Sequence, residues 1–464
     1  MRLHESFGLT SGIKVHTLED GRRVVASPRF GLEFGGLSAG ARAALQQLEI
    51  GGTEHELLDT AEPHDGPTAS LLLDHLLQSL ARNDFLYRTL LLEDAPLATL
   101  LPSTAPGHSE PRRPEAKYVL SRLACVRRED HQLVVEVPAS HARVLLRDTR
   151  AAALLPELSC PRSLAELTER AATLPIKAVD LLLGMLLDAK AVHVPEEEDP
   201  ALALWEPEDL LFHGHSRLGR LPSPYGATYR FEHRMEPLPA LKPRMTEAVV
   251  PLPRPDLKRL SQEDAPFTQV LERRRSLRTY GEPPISLEQL GELLYRAART
   301  RRVLSTEHGE LGERPYPGGG ALYELELYLV VDRCEGLESG LYQYRSGQHE
   351  LCKLTPRTQQ VEQLLEGAWH TLAREGRPQV LLVITARFPR VFWKYQAMGY
   401  ALILKNVGVL FQTLYLAATA MDLAPCALGG GDSELFARAS GIPPLAEGAV
   451  GEFALGTRAK EDGT

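Results

Sequence analysis

Residues 388–422 read FPRVFWKYQAMGYALILKNVGVLFQTLYLAATAMD. Ala401, Leu402, Leu404, Val407, Leu410, Phe411, Leu414, Leu416 and Ala417 leave no continuous polar face on a helix, the mark of one buried on most sides. A membrane span has a similar length, but Lys405, Asn406 and Gln412 in the middle of the run oppose it, because polar groups are costly in lipid. The stretch therefore reads as a long internal or subunit-interface helix. Just before it stands Trp393-Lys394-Tyr395, a tight titratable and aromatic group.

Working outward, the chain has 464 residues, 43% hydrophobic and 24% charged. That is the composition of an ordinary globular protein with about two to four domains. Its formal charge of -9 gives no drive toward nucleic acid or an anionic membrane. The start, MRLHESFGLTSG, lacks the apolar run of a secretory signal. Cys125, Cys160, Cys334, Cys352 and Cys426 are scattered without a C-x-x-C pair, which suggests free thiols in a reducing compartment and no zinc site. A cytoplasmic protein without a metal is expected.

The first two hundred residues repeat. Shifted by 110 positions, Val24-Val25 falls on Val134-Val135, Pro28 on Pro138, Leu48 on Leu158, and Leu71 to Leu73 on Leu181 to Leu183. Thr53-x-x-Glu56 falls on Ser163-x-x-Glu166, and both are capping boxes. Each copy predicts a β pair (22–26; 133–137), a helix (39–48; 149–158), a capped second helix, a third helix and a closing strand (85–91; 191–194). That order is the order of a winged helix-turn-helix, assigned here to 1–105 and 106–200. Lys plus Arg number 8 against 14 Asp plus Glu in the first copy, and 13 against 15 in the second. An acidic module is repelled by phosphate, so a peptide-binding or structural use is expected, with an extended ligand adding to an edge strand.

Residues 201–264 read as a connector, rich in Pro, Arg and aromatics. It begins beside the acidic run Glu196–Asp199 and has no clear periodicity, as in segments that are functional or draped over a domain. His213-Gly214-His215 has metal-ligand spacing but no partnering ligands, and reads as surface or hydrogen-bonded histidines. Gly214-His215-Ser216-Arg217-Leu218 has Leu218 where a nucleophile elbow needs glycine, and no clear flanking strand or helix, which excludes a serine hydrolase.

Beyond Phe267, VLERRRSLRTY (270–280) gathers Arg274, Arg275, Ser276 and Arg278. Arginine forks with a hydroxyl suit a phosphate monoester. Ser286-Leu-Glu-Gln289 is a third capping box and starts a helix over 287–299. Pro317-Gly318-Gly319-Gly320-Ala321 precedes a strand at 325–331, and Gly429-Gly430-Gly431 follows the central helix; such glycines let backbone approach a flat ligand. GEFALGTR (451–458) reads as a terminal strand ending at Arg458. Neither the dinucleotide fingerprint nor a Walker A sequence is present.

R-R-S-x-R-x-Y at 274–280, P-x-x-G-A at 317–321, the phrase RPYPGGGALYELELYLVV (314–331), Lys394-Tyr395 and the late Gly-Gly turn together resemble the SagB/ThcOx-type azoline dehydrogenases. These belong to the FMN-dependent nitroreductase superfamily and oxidise thiazolines and oxazolines to azoles in ribosomally made peptides. The resemblance covers 265–464, and the winged-helix modules and the connector also look like that family's architecture. It implies an α+β fold: a nitroreductase-like FMN domain preceded by two winged-helix-like modules. It also implies a homodimer with the flavin between subunits, an azoline-containing precursor peptide as substrate, and a cyclodehydratase as partner.

By the same resemblance Lys394 and Tyr395 are the catalytic acid/base pair, and an ammonium beside a phenol favours the phenol's ionised form. Which of the two is the base stays open. Arg274, Arg275, Ser276, Arg278 and Arg458 fall to the FMN phosphate and ribityl chain. Gly318, Gly319, Gly429 and Gly430 fall to close backbone approach, with Gly318 standing where the family usually has Ser. The alternatives are an NAD(P)H-dependent nitroreductase or quinone reductase, and a non-catalytic scaffold for a cyclodehydratase.

Overall fold

The structure, a computed structural model, describes residues 2–19, 22–27, 31–102, 113, 115–197, 199–218 and 224–460. Pro28 of the repeat and Glu198 of the acidic run lie outside them. Two compact units divide the chain, Met1–Pro222 and Ser223–Thr464. The 201–264 stretch is thus shared between them.

In the first unit the copies are joined by one antiparallel seven-stranded sheet. Its order is Gly52–Thr53, Leu3–Leu9, Leu86–Leu92, Ala95–Leu101, Arg143–Leu146, Gln132–Glu136, Cys125–Glu129. Pairing of Ala98 with Leu146 and Leu101 with Arg143 makes the junction. Arg88 and Asp188, one from each copy, are bonded at 2.8 Å with both side chains buried. Both capping boxes form, with Thr53 on Glu56 and Ser163 on Glu166. The first copy runs helix Ala39–Leu48, strand Gly52–Thr53, helix Glu54–Asp65, helix Ala69–Arg82, then the strands Leu86–Leu92 and Ala95–Leu101. The second keeps the order but breaks its first helix at Ala153, between Thr149–Ala152 and Leu154–Glu157. The repeated Val pairs part company: Val24-Val25 lie in a separate three-stranded sheet, Val134-Val135 in the seven-stranded one.

The absence of a helix around His213 is corrected. Residues Pro207–Ser216 form one, with Pro207 opening it and Gly214 and Ser216 buried. Proline is favoured in the first helical turn, where its missing N–H costs nothing. His213 packs against Trp205, with ring centroids 5.5 Å apart and the planes tilted by 42°.

The second unit is a seven-stranded antiparallel sheet with helices on both faces. Its order is Val249–Pro251, Glu350–Pro356, Gly340–Arg345, Leu325–Val331, Val380–Arg387, Glu447–Thr457, Leu423–Leu428. Successive strand residues point to opposite faces. Leu325, Leu327, Leu329 and Val331, with Leu382, Ile384 and Phe453, pack with helices Leu287–Ala298 and Gly399–Ala420. Tyr328, Val330, Leu381, Val383 and Ala454 pack with helices Gln359–Thr371 and Ser433–Ser440. Two covered faces explain why these strands are near-continuous apolar runs.

The central helix is Gly399–Ala420, and it alone among the described residues is long and apolar enough to cross a membrane. Ile403, Val407, Leu410 and Leu414 bury it on the sheet, while Tyr400 and Leu404 stay 41% and 39% exposed.

Residues 224–242 lie along the turn before that helix. Thr228 and Tyr229 donate their N–H groups to the Lys394 carbonyl, and Ala397 donates to that of Pro224. Trp393 Nε1 donates to Met235 O (2.7 Å), Arg390 to Leu238 O, and Arg387 to Pro239 O. Lys242 closes the wrap on Glu447 at 2.6 Å and on Tyr328 OH at 2.6 Å. Removing one partner of a buried pair strands the other's charge, a penalty larger than the pair's net worth. Lys242→Met is therefore expected to destabilise this unit by about 3 kcal/mol. Adding Glu447→Gln should recover part of the loss; chemical denaturation read by tryptophan fluorescence, Trp393 lying under the wrap, measures both.

Candidate functional site

Lys394 and Tyr395 sit in the turn between the short helix Phe388–Phe392 and the central helix. Turn bonds from Lys394 N and Tyr395 N to Val391 O hold them, and both side chains are half-buried. Lys394 Nζ lies 5.4 Å from the Tyr395 ring centroid and 5.8 Å from that of Tyr229, within cation–π range. The lysine also lines a cavity of about 200 Å³ shared with Tyr229, His308, Glu310, Arg390 and Trp393.

The glycine loop meets this pair. Gly320 has φ +62, and a Cβ there would overlap the Tyr395 hydroxyl and come within 3.3 Å of Lys394 Nζ. At Gly319 a Cβ would run into Leu402 of the central helix. Gly319 N–H donates to Asn406 Oδ1 at 3.1 Å, and Asn406 Nδ2 donates to Glu324 Oε1 at 2.8 Å. Asn406, noted in the sequence only as a polar residue in an apolar helix, thus ties the loop to the helix. Gly318 is extended, and a Cβ there would press at 3.1 Å on the Tyr323 ring, a tight contact that a larger residue would relieve only by a small shift of that ring.

Burial dominates the ionisation of the groups beneath. It pushes the Glu324 carboxyl upward, against its bond from Asn406, and among the described residues its Oε2 has no partner. Burial, then the neighbouring Arg387 and Arg314, lower Arg390 to about 10. Arg390 spends its donors on the carbonyls of Leu322, Leu238 and Glu310, so its work is to fix backbone around the cavity.

A second cluster lies toward the other end of the central helix. Arg274 stacks over Tyr415 (5.3 Å), and Ser276 Oγ is 2.8 Å from the Tyr415 hydroxyl. That hydroxyl accepts the Ala427 N–H at 2.7 Å, so its own proton is available to Ser276 and the serine proton can point away. Among the described residues Arg274, Arg275 and Arg278 make no ion pair. Arg458 joins the cluster through backbone bridging to Tyr280, but its guanidinium, with that of Arg273, holds Asp422 at 3.1 and 3.3 Å. Gly429 and Gly430 form an exposed turn at the far end of strand Leu423–Leu428, with open space where a Cβ would be. Asn406 and Tyr415 are nine positions apart on one helix, about 14 Å at 1.5 Å per residue. The structure thus gathers Lys394, Tyr395, Gly318 and Gly319 at one end, and Arg274, Ser276 and Arg458 at the other. Sequence reasoning passed over Gly320, Asn406, Glu324 and Tyr415.

Two family models match the chain, the cyanobactin oxidase ThcOx over residues 118–222 and the nitroreductase family over 271–457. A nitroreductase-type protein of Methanocaldococcus jannaschii is 29% identical over 38% of this chain and 81% of its own length. The microcin B17-processing protein of Escherichia coli is 32% identical over 24% of this chain and 42% of its own. For the trifolitoxin-processing protein of Rhizobium leguminosarum the figures are 29%, 30% and 38%. The chain thus spans less than half of each of the two peptide-processing relatives.

Proposed function

From the premise that the chain is a SagB/ThcOx-type, nitroreductase-like protein, we propose that it is an FMN-dependent dehydrogenase. Its substrate is a thiazoline or oxazoline in a ribosomally synthesised peptide, which it oxidises to the azole. The carrying observation is the Lys394-Tyr395 pair closed against Gly320, in a chain with both matches.

The residues present fit FMN. Among the described residues Arg274, Arg275 and Arg278 are cations without ion-pair partners, beside the Ser276 hydroxyl and suited to a phosphate monoester, and Arg458 is available once Asp422 yields it. Gly318, Gly319, Gly429 and Gly430 offer backbone without side chains to a flat ring. When bound, FMN supplies the two-electron acceptor for a hydride. The chain's own residues orient the azoline ring and take the proton from the carbon next to the one that loses the hydride, Lys394 and Tyr395 being the groups for that transfer.

The two clusters stand toward opposite ends of one helix whose outer side shows Tyr400 and Leu404. In a two-fold homodimer with antiparallel central helices, each phosphate cluster meets the partner's lysine–tyrosine end. The element order of 1–105 and 106–200 supports winged-helix-like modules that take the peptide, with 265–464 as the flavin domain. A cyclodehydratase, acting in the cytoplasm, is the partner that makes the azoline.

Anaerobic mixing of FMN-loaded protein with a thiazoline peptide tests this. Bleaching of the flavin absorbance with loss of two mass units from the peptide is expected. The archaeal relative favours a second reading, an NAD(P)H-dependent nitroreductase or quinone reductase. Bleaching by NAD(P)H and never by peptide would replace the first reading with it.

A further inference from the structure

The face of the second unit's sheet turned away from the central helix carries a cavity of about 350 Å³, between helices Gln359–Thr371 and Ser433–Ser440. Its walls are apolar, with Leu364, Leu381 and Leu435, but Glu452 projects into it. Strand alternation explains the placement: Glu452 pairs with Val383 and Leu428 and shares their face. Among the described residues it has no hydrogen-bond or ion-pair partner. Burial alone pushes its carboxyl up to about 6.

Two glycines hollow the space around it. At Gly431 a Cβ would overlap the Glu452 carboxyl. Gly367 lies inside helix Gln359–Thr371 with nothing within 4 Å of where a Cβ would be. Glycine weakens a helix interior relative to alanine, and no close packing at Gly367 demands it. Glu452 is half-buried, so its carboxyl meets the cavity's solvent between apolar walls, and acid, glycines and space together make sense as an incomplete ion pair awaiting its cation.

We propose that this cavity, bordered by Gly430 and set on the sheet face away from the central helix and the lysine–tyrosine pair, is a second binding site that takes a guanidinium or primary ammonium on a short alkyl stem. The stem lies against Leu364, Leu381 and Leu435, and the cationic head meets Glu452. The same chemistry comes from a free alkylamine or alkylguanidine, or from a lysine or arginine side chain of a peptide. The other ionisable group on the cavity is Asp432, whose Oδ1 is engaged as the cap of helix Ser433–Ser440 by the Leu435 N–H at 2.7 Å. The facing helix contributes neutral Gln363 and Thr371.

The test is calorimetric titration of the full-length, FMN-loaded protein with n-butylguanidinium, with capped N-acetyl-arginine-amide, and with neutral n-butylurea. Saturable one-to-one binding of a cation at pH 7.5 is expected, at least tenfold tighter than butylurea. It should weaken at least tenfold in Glu452→Gln, and at pH 5, where the carboxyl is protonated. Gly367→Leu, which fills the cavity from the helix side, should abolish it. Tighter binding of capped arginine assigns the site to a peptide side chain; tighter binding of butylguanidinium assigns it to a free cation.

Stability gives a second readout. A carboxyl raised above its unfolded value of about 4.5 contributes stability below that value, and the contribution is lost as pH rises through about 6. Glu452→Gln should therefore raise the melting temperature at pH 7.5 and not at pH 4, and the cation should raise it only in the parent protein. Absence of cation binding, equal binding by Glu452→Gln, or equal binding of butylurea would overturn the proposal. Flavin content plays no part in these readouts, so failure of the azoline reading leaves them intact.

Discussion

Lys394→Ala and Tyr395→Phe are each expected to lower the single-turnover rate of azoline oxidation by about 10²–10⁴-fold, the usual contribution of a positioned acid or base. FMN content should stay near the parent level, because both variants keep the arginines and Ser276 that take the phosphate. The substitutions are also mild for the fold. Both side chains are half-buried, and the bonds that hold the turn to residues 224–229 run through the Lys394 backbone carbonyl. Anaerobic stopped-flow on FMN-loaded protein measures the rate, and peptide mass confirms the chemistry. Parent-like bleaching in both variants would remove the pair from the chemistry. A loss in Lys394→Ala alone would make Tyr395 a packing partner of Gly320. A loss of peptide oxidation with NAD(P)H-driven bleaching retained would place the defect in proton transfer and leave the electron acceptor intact.

What was legible in the sequence was what short-range physics fixes. The strand Leu325–Val331 and the helix Ala39–Leu48 fall where their runs of residues put them. Thr53, Ser163 and Ser286 all close their capping boxes, because each needs only four consecutive residues. The helix over Pro207–Ser216 was missed although Pro207 signals its start, since the histidines and glycine within it mask any period. The rest is non-local. The strand pairing that fuses the two repeats, the Lys242–Glu447 pair across 205 positions and the Asn406–Gly319 bond across 87 leave no pattern within a window of sequence. The same holds for the site. Lys394-Tyr395 and the arginine run stand out as contiguous groups. Gly320 is recognisable as the strained member of its triplet only once its φ and the Tyr395 hydroxyl are seen together.

The arginine cluster should determine flavin affinity through the phosphate. A hydrogen bond to a charged group is worth about 1.5–3 kcal/mol, and each 1.4 kcal/mol is about tenfold. Arg274→Ala or Arg278→Ala is therefore expected to weaken FMN binding by about 10–100-fold, and the double variant by about 10³-fold or more, read by flavin fluorescence on titrating apoprotein. Riboflavin, which lacks the phosphate, separates this from a general loss of structure: its affinity should hardly change in the same variants. Arg458→Ala should cost less, because Arg458 is already committed to Asp422 and must give up that pair to serve a phosphate. The same competition sets the sign for Asp422→Asn. Freeing Arg458 and Arg273 from the carboxylate adds positive charge to the cluster, so FMN should bind a few-fold tighter, most visibly at low salt where exposed charges are least screened. Equal losses for FMN and riboflavin in Arg278→Ala, or weaker FMN binding in Asp422→Asn, would mean that these arginines support the loop and leave the phosphate to other groups.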